Sequence, residues 1–491
     1  MRFSSVACIL AASLVFTGCA AKDDDKPEAH VPKSEVTIPA EQVKDELPKV
    51  LRSYAVQTPE AAVHLFGIPG QDSLNETLEE ATLKALEQAG AFKGRKAFQP
   101  EVTPPKERWG EADYLAFEGH SPESESTEGE DAEGQQSGSG DDKASSVESH
   151  IVGAGGDFLV TQLDVRSGGQ TASRQFLTDT KNNATKPIDS IKAEGVEGEI
   201  AVAGDKITVD GEDADDEVLS ESGHNLAAVL GEDLTIEAEE SPYLPDFTCA
   251  LLPCAAMTYD DGPADDALTK RLADALDKAK VRATFFEIGR IVEALPENSR
   301  LLREAGHEVE NHSFTHPVLS KLTPDKQKSE VDKTDKAIHD AGGEYPTMLR
   351  PPYGASNKRL DTVAQGSGES GDPAGGKAKK ADGEKAEHGK AIIMWDVDTL
   401  DWKHRNADRV KKAALANTKP GSIVLMHAIH PTTVDASPEI FSGLQDRGFY
   451  LVPVGYMFKG MKLEPGKEYF CRGYHDELCS TPEHPFAEKD S

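Results

Sequence analysis

Met257-Thr258-Tyr259-Asp260-Asp261-Gly262-Pro263 ends an apolar run, 251–257, on two adjacent acids and a Gly-Pro turn. This order predicts a buried strand whose last residues carry carboxylates into a cleft before the chain turns sharply. Two neighbouring carboxylates are costly to ionise together unless a cation or a proton-transfer task uses them. Asp and Gly are also ordinary turn residues, so a polar strand-to-helix turn accounts for the stretch taken alone. What decides between these readings lies downstream.

From residue 247 onward the chain alternates strand-like and helix-like segments. Helical spacing covers 265–278, a segment through Leu301 and Leu302, and 323–341, where Thr323-Pro324 places a cap before a Pro at the first helical position. Strand-like runs fall at 282–288, 307–311, 347–350, 391–397, 422–427 and 449–452. Repeated βα units predict an α/β fold with a parallel sheet covered by helices, open or closed as a barrel. Five polar clusters lie at the ends of these strands: Asp260-Asp261, His312 to His316, Arg350-Pro351-Pro352-Tyr353-Gly354, Asp398 to Trp402, and the run ending at His427. A βα barrel gathers its strand ends on one face, so these dispersed positions are expected to converge. The His-x-x-x-His spacing of His312 and His316 suggests two imidazoles on one side of a helical turn. With Asp261 they would hold a divalent metal and leave positions open for water and substrate, the mark of a catalytic site. Each cluster alone has an ordinary explanation, such as surface histidines or a rigid turn. It is their joint occurrence, in this order, that points to chemistry.

These motifs resemble, in order, those of the polysaccharide deacetylases, the NodB-homology domain of carbohydrate esterase family four, over residues 250–460. The resemblance implies a distorted (β/α) barrel with fewer than eight complete repeats and metal-dependent removal of acetyl groups from N-acetyl sugars. Position by position it implies Asp260 as general base, and Asp261, His312 and His316 as metal ligands. It implies His427 as general acid, Arg350 as the counter-ion that orients Asp260, and Asp401 as the partner of His427. The backbone N–H at Tyr353 would stabilise the oxyanion, and Trp402 and Leu425 would line the acetyl-methyl pocket. Zn²⁺ is the expected cation; Co²⁺, Ni²⁺ and Mn²⁺ suit the same donors. Tyr259 stands where the family commonly has Phe, and His430 is not expected to be a ligand. The expected substrate is peptidoglycan N-acetylglucosamine, with chitin oligomers, an exopolysaccharide or acetyl-xylan as enzyme alternatives. An inactive wall-binding lipoprotein is the alternative of another class.

The chain has 491 residues and a formal net charge of −34, which argues against nucleic acid as a partner and against electrostatic binding to anionic membranes. Residues 1–18 read as a signal peptide, because the apolar run 6–16 is too short for a stable membrane span. Phe16-Thr17-Gly18-Cys19 resembles a bacterial lipobox, with Phe16 where Leu is usual, so Cys19 is a lipidation candidate. The expected location is the outer face of the cell membrane through a lipid anchor, with plain secretion as the alternative. Cys249, Cys254, Cys471 and Cys479 then remain; local pairing, Cys249 with Cys254 and Cys471 with Cys479, is the simplest connectivity in an oxidising compartment. Composition suggests a flexible tether over 19–48 and an α+β accessory domain over 49–243 with a disordered acidic insertion at 121–149. The deacetylase-like domain follows at 244–463, interrupted by a Gly/Lys/Glu-rich insertion at 365–390, and a tail occupies 464–491. Within the accessory region, Ser73 to Glu76 has a capping-box pattern ahead of a helical stripe from Leu74 to Ala89, and Gly204-Asp205 signals a tight hairpin.

Overall fold

The apolar run before Asp260 becomes the central strand of a parallel sheet, β1 (Cys254–Gly262), and is buried almost throughout. The computed structural model describes residues 33–104, 114–116, 145–239, 243–366 and 389–473. Among them, eight strands join β1: β2 (Thr284–Glu287), β3 (Glu308–Asn311), β4 (Met348–Leu349), β5 (Ala391–Ile393), β6 (Val397–Asp398), β7 (Ile423–His427), β8 (Tyr450–Val452) and β9 (Glu468–Tyr469). Their order is β6-β7-β1-β2-β3-β4-β5-β9, with β8 paired to the start of β1. Every pairing is parallel. Parallel strands are covered on both faces, which is why β1 reads as continuous apolar sequence. Ala255, Met257 and Tyr259 pack on one side of it, and Cys254 and Ala256 join a second cluster on the other.

The run 391–397, expected as one strand, divides. Its first residues pair as β5 with β4, and its last pair as β6 with β7 at the opposite end of the sheet. Between them, Met394 N–H donates to Tyr469 O and Asp396 N–H to Ile423 O. The chain therefore spans the opening of the sheet, and the barrel closes without a continuous ladder. This is the distorted (β/α) barrel expected from the motifs. The helix Asp266–Lys278 begins where the Asp265 side chain accepts from Leu268 N–H at 3.0 Å, and it buries Leu268, Leu272 and Leu276. The helix Pro324–Asp340 starts on Pro at its first position, as its sequence suggests.

The preceding residues form a six-stranded mixed sheet: Arg52–Gln57, Ala61–Gly67, Ser145–Gly155, Phe158–Ser167, Gln170–Asp179 and Ala184–Pro187. The helix Asp72–Gln88 lies against it through Leu74, Leu78 and Leu86. Gly204, at φ +62°, turns the hairpin between Ile200–Ala203 and Lys206–Val209. The capping box is absent: the N-cap is Gln71, without a side-chain cap bond, and Ser73 Oγ instead accepts from Thr185 N–H.

Several boundaries move. Residues 19–48 are not all tether, because Lys33–Ile38 pairs with Leu234–Glu239 and Val43 and Leu47 are buried by the helix Val43–Val50. Alternation at Val36 and Ile38 is the signal that charge and proline content masked. The strand starting at Ser145 trims the acidic insertion, whose residues 121–144 lie outside the described ones. Lys390, assigned to the second insertion, is buried and paired with Asp335 at 2.8 Å. The barrel extends past 463 through β9. Cys249 and Cys254 are disulfide-bonded. Cys471 is also in a disulfide, and Cys479, like residues 1–18 and Cys19, lies outside the described residues.

The two sheets share one apolar cluster, running from Leu74 and Leu78 through Phe247 and Cys249 to Ala256 and Ile392. At their junction Arg52 Nε and Tyr54 Oη each donate to Asp246 at 2.9 Å, and Thr248 N–H donates to Glu79 at 2.8 Å. The approach to β1 is thus fastened before the strand begins.

Candidate active site

Consecutive side chains of a regular strand point to opposite faces, so Asp260 and Asp261 cannot both enter one cleft from an unbroken β1. The strand breaks at that place. Asp260 pairs with Phe286 and Gly262 with Glu287, leaving Asp261 as an extra residue at φ +69°. A bulge of this kind re-aims a side chain, and it brings both acids to the His312 side of the strand end.

Asp260 is 3 % exposed. Its Oδ1 accepts from Arg350 Nη1 at 2.7 Å, and its Oδ2 lies 3.7 Å from His312 Nε2. Arg350 is wholly buried and spends its remaining donors on Thr258 Oγ1 (2.7 Å), Ile393 O (3.1 Å) and Met394 O (3.0 Å). Its guanidinium lies 4.1 Å from the Phe286 ring centre. Burial lowers the Arg350 pKa, and the Asp260 charge opposes that shift.

Asp261, His312 and His316 place their ligand atoms within 4.8 Å of one another. His312 Nδ1–H donates to Arg350 O at 2.7 Å, which leaves the Nε2 lone pair directed at Asp261. Asp261 Oδ1 is buried without a well-aligned hydrogen bond, although His316 Nε2 and His312 Nε2 lie 3.1 and 3.5 Å away. Burial raises the Asp261 pKa, but the two imidazoles more than offset it and hold the carboxyl well below the usual range. Two imidazoles and one carboxylate facing a common point fit a divalent cation. The expected helical turn is not there. His312 and His316 occupy a loop in which Ser313 and His316 have φ of +64° and +60°. The two imidazoles are brought together by this left-handed backbone rather than by helical spacing.

His427 ends β7 beside Asp260, its register partner on β1. Its Nδ1 lies 2.8 Å from Asp401 Oδ1, and its N–H donates to Asp401 Oδ2 at 2.7 Å. Burial pulls the His427 pKa down, but Asp401, with the charges of Asp260 and Asp261, pushes it up to about 9. Thr433 Oγ1 also donates to Asp401 Oδ2 at 2.7 Å. Tyr353 sits at φ +64° with its ring 4.7 Å from that of His316 and 56 % exposed, and Trp402 is 44 % exposed. Leu425 is buried in β7. His430 caps the helix Pro431–Asp446, stands 5.7 Å from His427 ring to ring, and takes no part in the ligand group.

All the expected polar residues thus meet at one end of the barrel. Two supporting residues are new. Thr258 is legible in retrospect, since it lies two positions before Asp260 on the same strand face; Thr433 carries no sequence signal.

Residues 251–368 match the family model described as polysaccharide deacetylase. The peptidoglycan-N-acetylglucosamine deacetylase PgdA of Listeria monocytogenes is 39 % identical over 215 residues, 44 % of this chain and 41 % of the relative. A chitooligosaccharide deacetylase of Bradyrhizobium is 33 % identical over 213 residues, 40 % of this chain and 87 % of the relative. The chain belongs to the polysaccharide deacetylase family. Among solved structures, a deacetylase described as T48 deacetylase with substrate is 37 % identical, with a TM-score of 0.39, covering 45 % of this chain and 98 % of the other. The chain spans about two fifths of the length of the Listeria relative.

In this chain the buried Arg350–Asp260 pair is a stability determinant as well as a site feature. Arg350→Met leaves the Asp260 carboxylate without its counter-ion and is expected to destabilise the fold by about 3–5 kcal/mol in urea unfolding. Adding Asp260→Asn should recover part of the loss. A Met variant with the wild-type midpoint refutes the pairing.

Proposed function

We propose that this chain hydrolyses N-acetyl groups of a cell-surface polysaccharide, with peptidoglycan N-acetylglucosamine as its sugar. One observation carries the reading: the Asp261, His312 and His316 donor set lies between an Arg-held carboxylate and a His whose carboxylate partner keeps it protonated. The residues fit a divalent cation, Zn²⁺ foremost, which when bound supplies Lewis acidity to the acetamide carbonyl and acidity to the attacking water. Asp260 has one oxygen committed to Arg350, so Oδ2 is the oxygen that takes the proton from water. The water oxygen bonds to the acetyl carbon, and the Tyr353 N–H receives the developing oxyanion. His427, bonded through Nδ1 to Asp401, gives its Nε2 proton to the departing amine as the C–N bond breaks, releasing acetate. Trp402 and Leu425 would flank the acetyl methyl.

The name of the Listeria relative, given for peptidoglycan, and the proposed export support this sugar, while the Bradyrhizobium relative, named for chitooligosaccharides, keeps chitin-like oligomers as the alternative. Acetate release by residues 20–491 with added Zn²⁺ is expected from peptidoglycan and to be absent from acetylated xylan. Asp260→Asn should lower turnover by about 10²–10⁴-fold while metal binding, read by chelator competition, is retained. Release from chitin pentamer but not peptidoglycan moves the substrate to chitin-like oligomers. No release from any polymer, with metal bound, favours the binding lipoprotein.

Because His427 must be protonated, the rate should fall as pH rises through about 9. Asp401→Asn removes the charge that raises this pKa, so the descending limb should move to lower pH by about 1–3 units. A limb that stays in place refutes His427 as the acid.

The export reading is part of the same proposal: removal of residues 1–18 and lipid on Cys19 would hold the enzyme on the outer face of the membrane, next to its substrate. Cys19→Ala is then expected to release the protein to the medium. Unchanged membrane retention refutes the anchor.

A further inference from the structure

The loop bearing His312 and His316 lacks helical or sheet bonds of its own, yet it is gripped from two sides. Glu330, on the helix Pro324–Asp340, accepts from Phe314 N–H at 2.9 Å and from Thr315 N–H at 2.7 Å through one oxygen. Its other oxygen accepts from Thr315 Oγ1 at 2.9 Å. On the carbonyl side, Gly289 N–H donates to Ser313 O and Arg290 N–H to Phe314 O, each at 3.1 Å. A side chain at 289 has no room, since a Cβ there would lie 2.7 Å from the Phe314 ring and 2.8 Å from the Thr334 Cα. Behind the loop, Asn311 Oδ1 accepts from Ser313 N–H at 2.8 Å, while Asn311 Nδ2 donates to Asp335 at 2.7 Å and Asp335 pairs with buried Lys390.

We infer that Glu330 is a positioning residue for the metal half-site, setting the separation of His312 and His316 by fixing the two peptide N–H groups between them. It touches neither imidazole and acts through the backbone. The loop needs such a tie, because two of its residues hold left-handed φ values, which are strained and persist only where the surroundings over-determine them. Released, the loop would sample other conformations, and both ligands would lose their common focus. Partners of this kind typically alter metal affinity by about 10–100-fold.

The inference rests on the reading of Asp261, His312 and His316 as metal ligands, so the test separates the two. Apo wild type, His316→Ala, and Glu330→Ala, Gln and Asp are titrated with Zn²⁺ against a chromophoric chelator, and each apo protein is melted. Gln can repeat the grip, its oxygen taking both N–H groups and its NH₂ facing the Thr315 hydroxyl, whereas Asp is one methylene short. Affinity is expected to fall about 10–100-fold in Glu330→Ala and Glu330→Asp, and to stay near wild type in Glu330→Gln. If the Ala variant does not fold, the Gln-against-Asp order decides. Wild-type affinity in a folded Ala or Asp variant, with His316→Ala impaired, overturns the role of Glu330 and leaves the metal site standing. No Zn²⁺ binding by wild type overturns both.

Discussion

Arg350 is the residue on which the rest of the site depends. Its guanidinium sits inside the barrel with no exposed surface, and it bonds the β1 acid Asp260, the β1 hydroxyl Thr258, and the carbonyls of Ile393 and Met394. Those two carbonyls lie at the end of β5 and at the start of the segment that leads from it to β6. One side chain therefore joins the closing segment of the barrel to its central strand. Its own carbonyl orients His312, so Asp260 and His312 are fixed by two ends of the same residue. A buried cation of this kind is tolerable because each of its three nitrogens finds an acceptor.

Around that centre the backbone is strained where the chemistry is. Asp261, Ser313, His316, Tyr353 and Leu400 all have positive φ without being glycine. Such conformations persist when the surrounding structure leaves no relaxed alternative. Here the constraint comes from a sheet whose strands are buried on both faces, from the Glu330 grip, and from the Asp401 carboxylate, which binds the backbone, the ring of His427 and the Thr433 hydroxyl together.

Much of this was legible because the barrel writes its polar residues at strand ends, after apolar runs that need no side-chain alternation. The clusters at Asp260, His312, Arg350, Asp401 and His427 could be placed by that rule alone. What could not be read were contacts set by tertiary packing. Glu330 looks like any solvated helix acid, Thr433 like a helix-start residue, and Lys390 like part of a basic low-complexity segment until Asp335 is seen beside it. The order beginning at Lys33 was hidden for a related reason, since a short strand in charged sequence declares itself only through its partner near Leu234.

The adjacent acids show how far a pattern can be right for an incomplete reason. Two carboxylates at a strand tip suggested a shared cleft, yet a regular strand would have sent them to opposite faces. The extra residue in β1 resolves the conflict by giving Asp261 a left-handed backbone opposite no partner. The two side chains then differ in what they meet. Asp260 keeps the inward direction of Thr258 and meets Arg350, while Asp261 turns toward the two imidazoles. A single inserted residue thus divides one pair of identical groups into a carboxylate held by Arg350 and a carboxylate that faces two imidazoles. The different surroundings of the two acids therefore originate in the backbone, at the extra residue that the Asp-Asp pair supplies to β1.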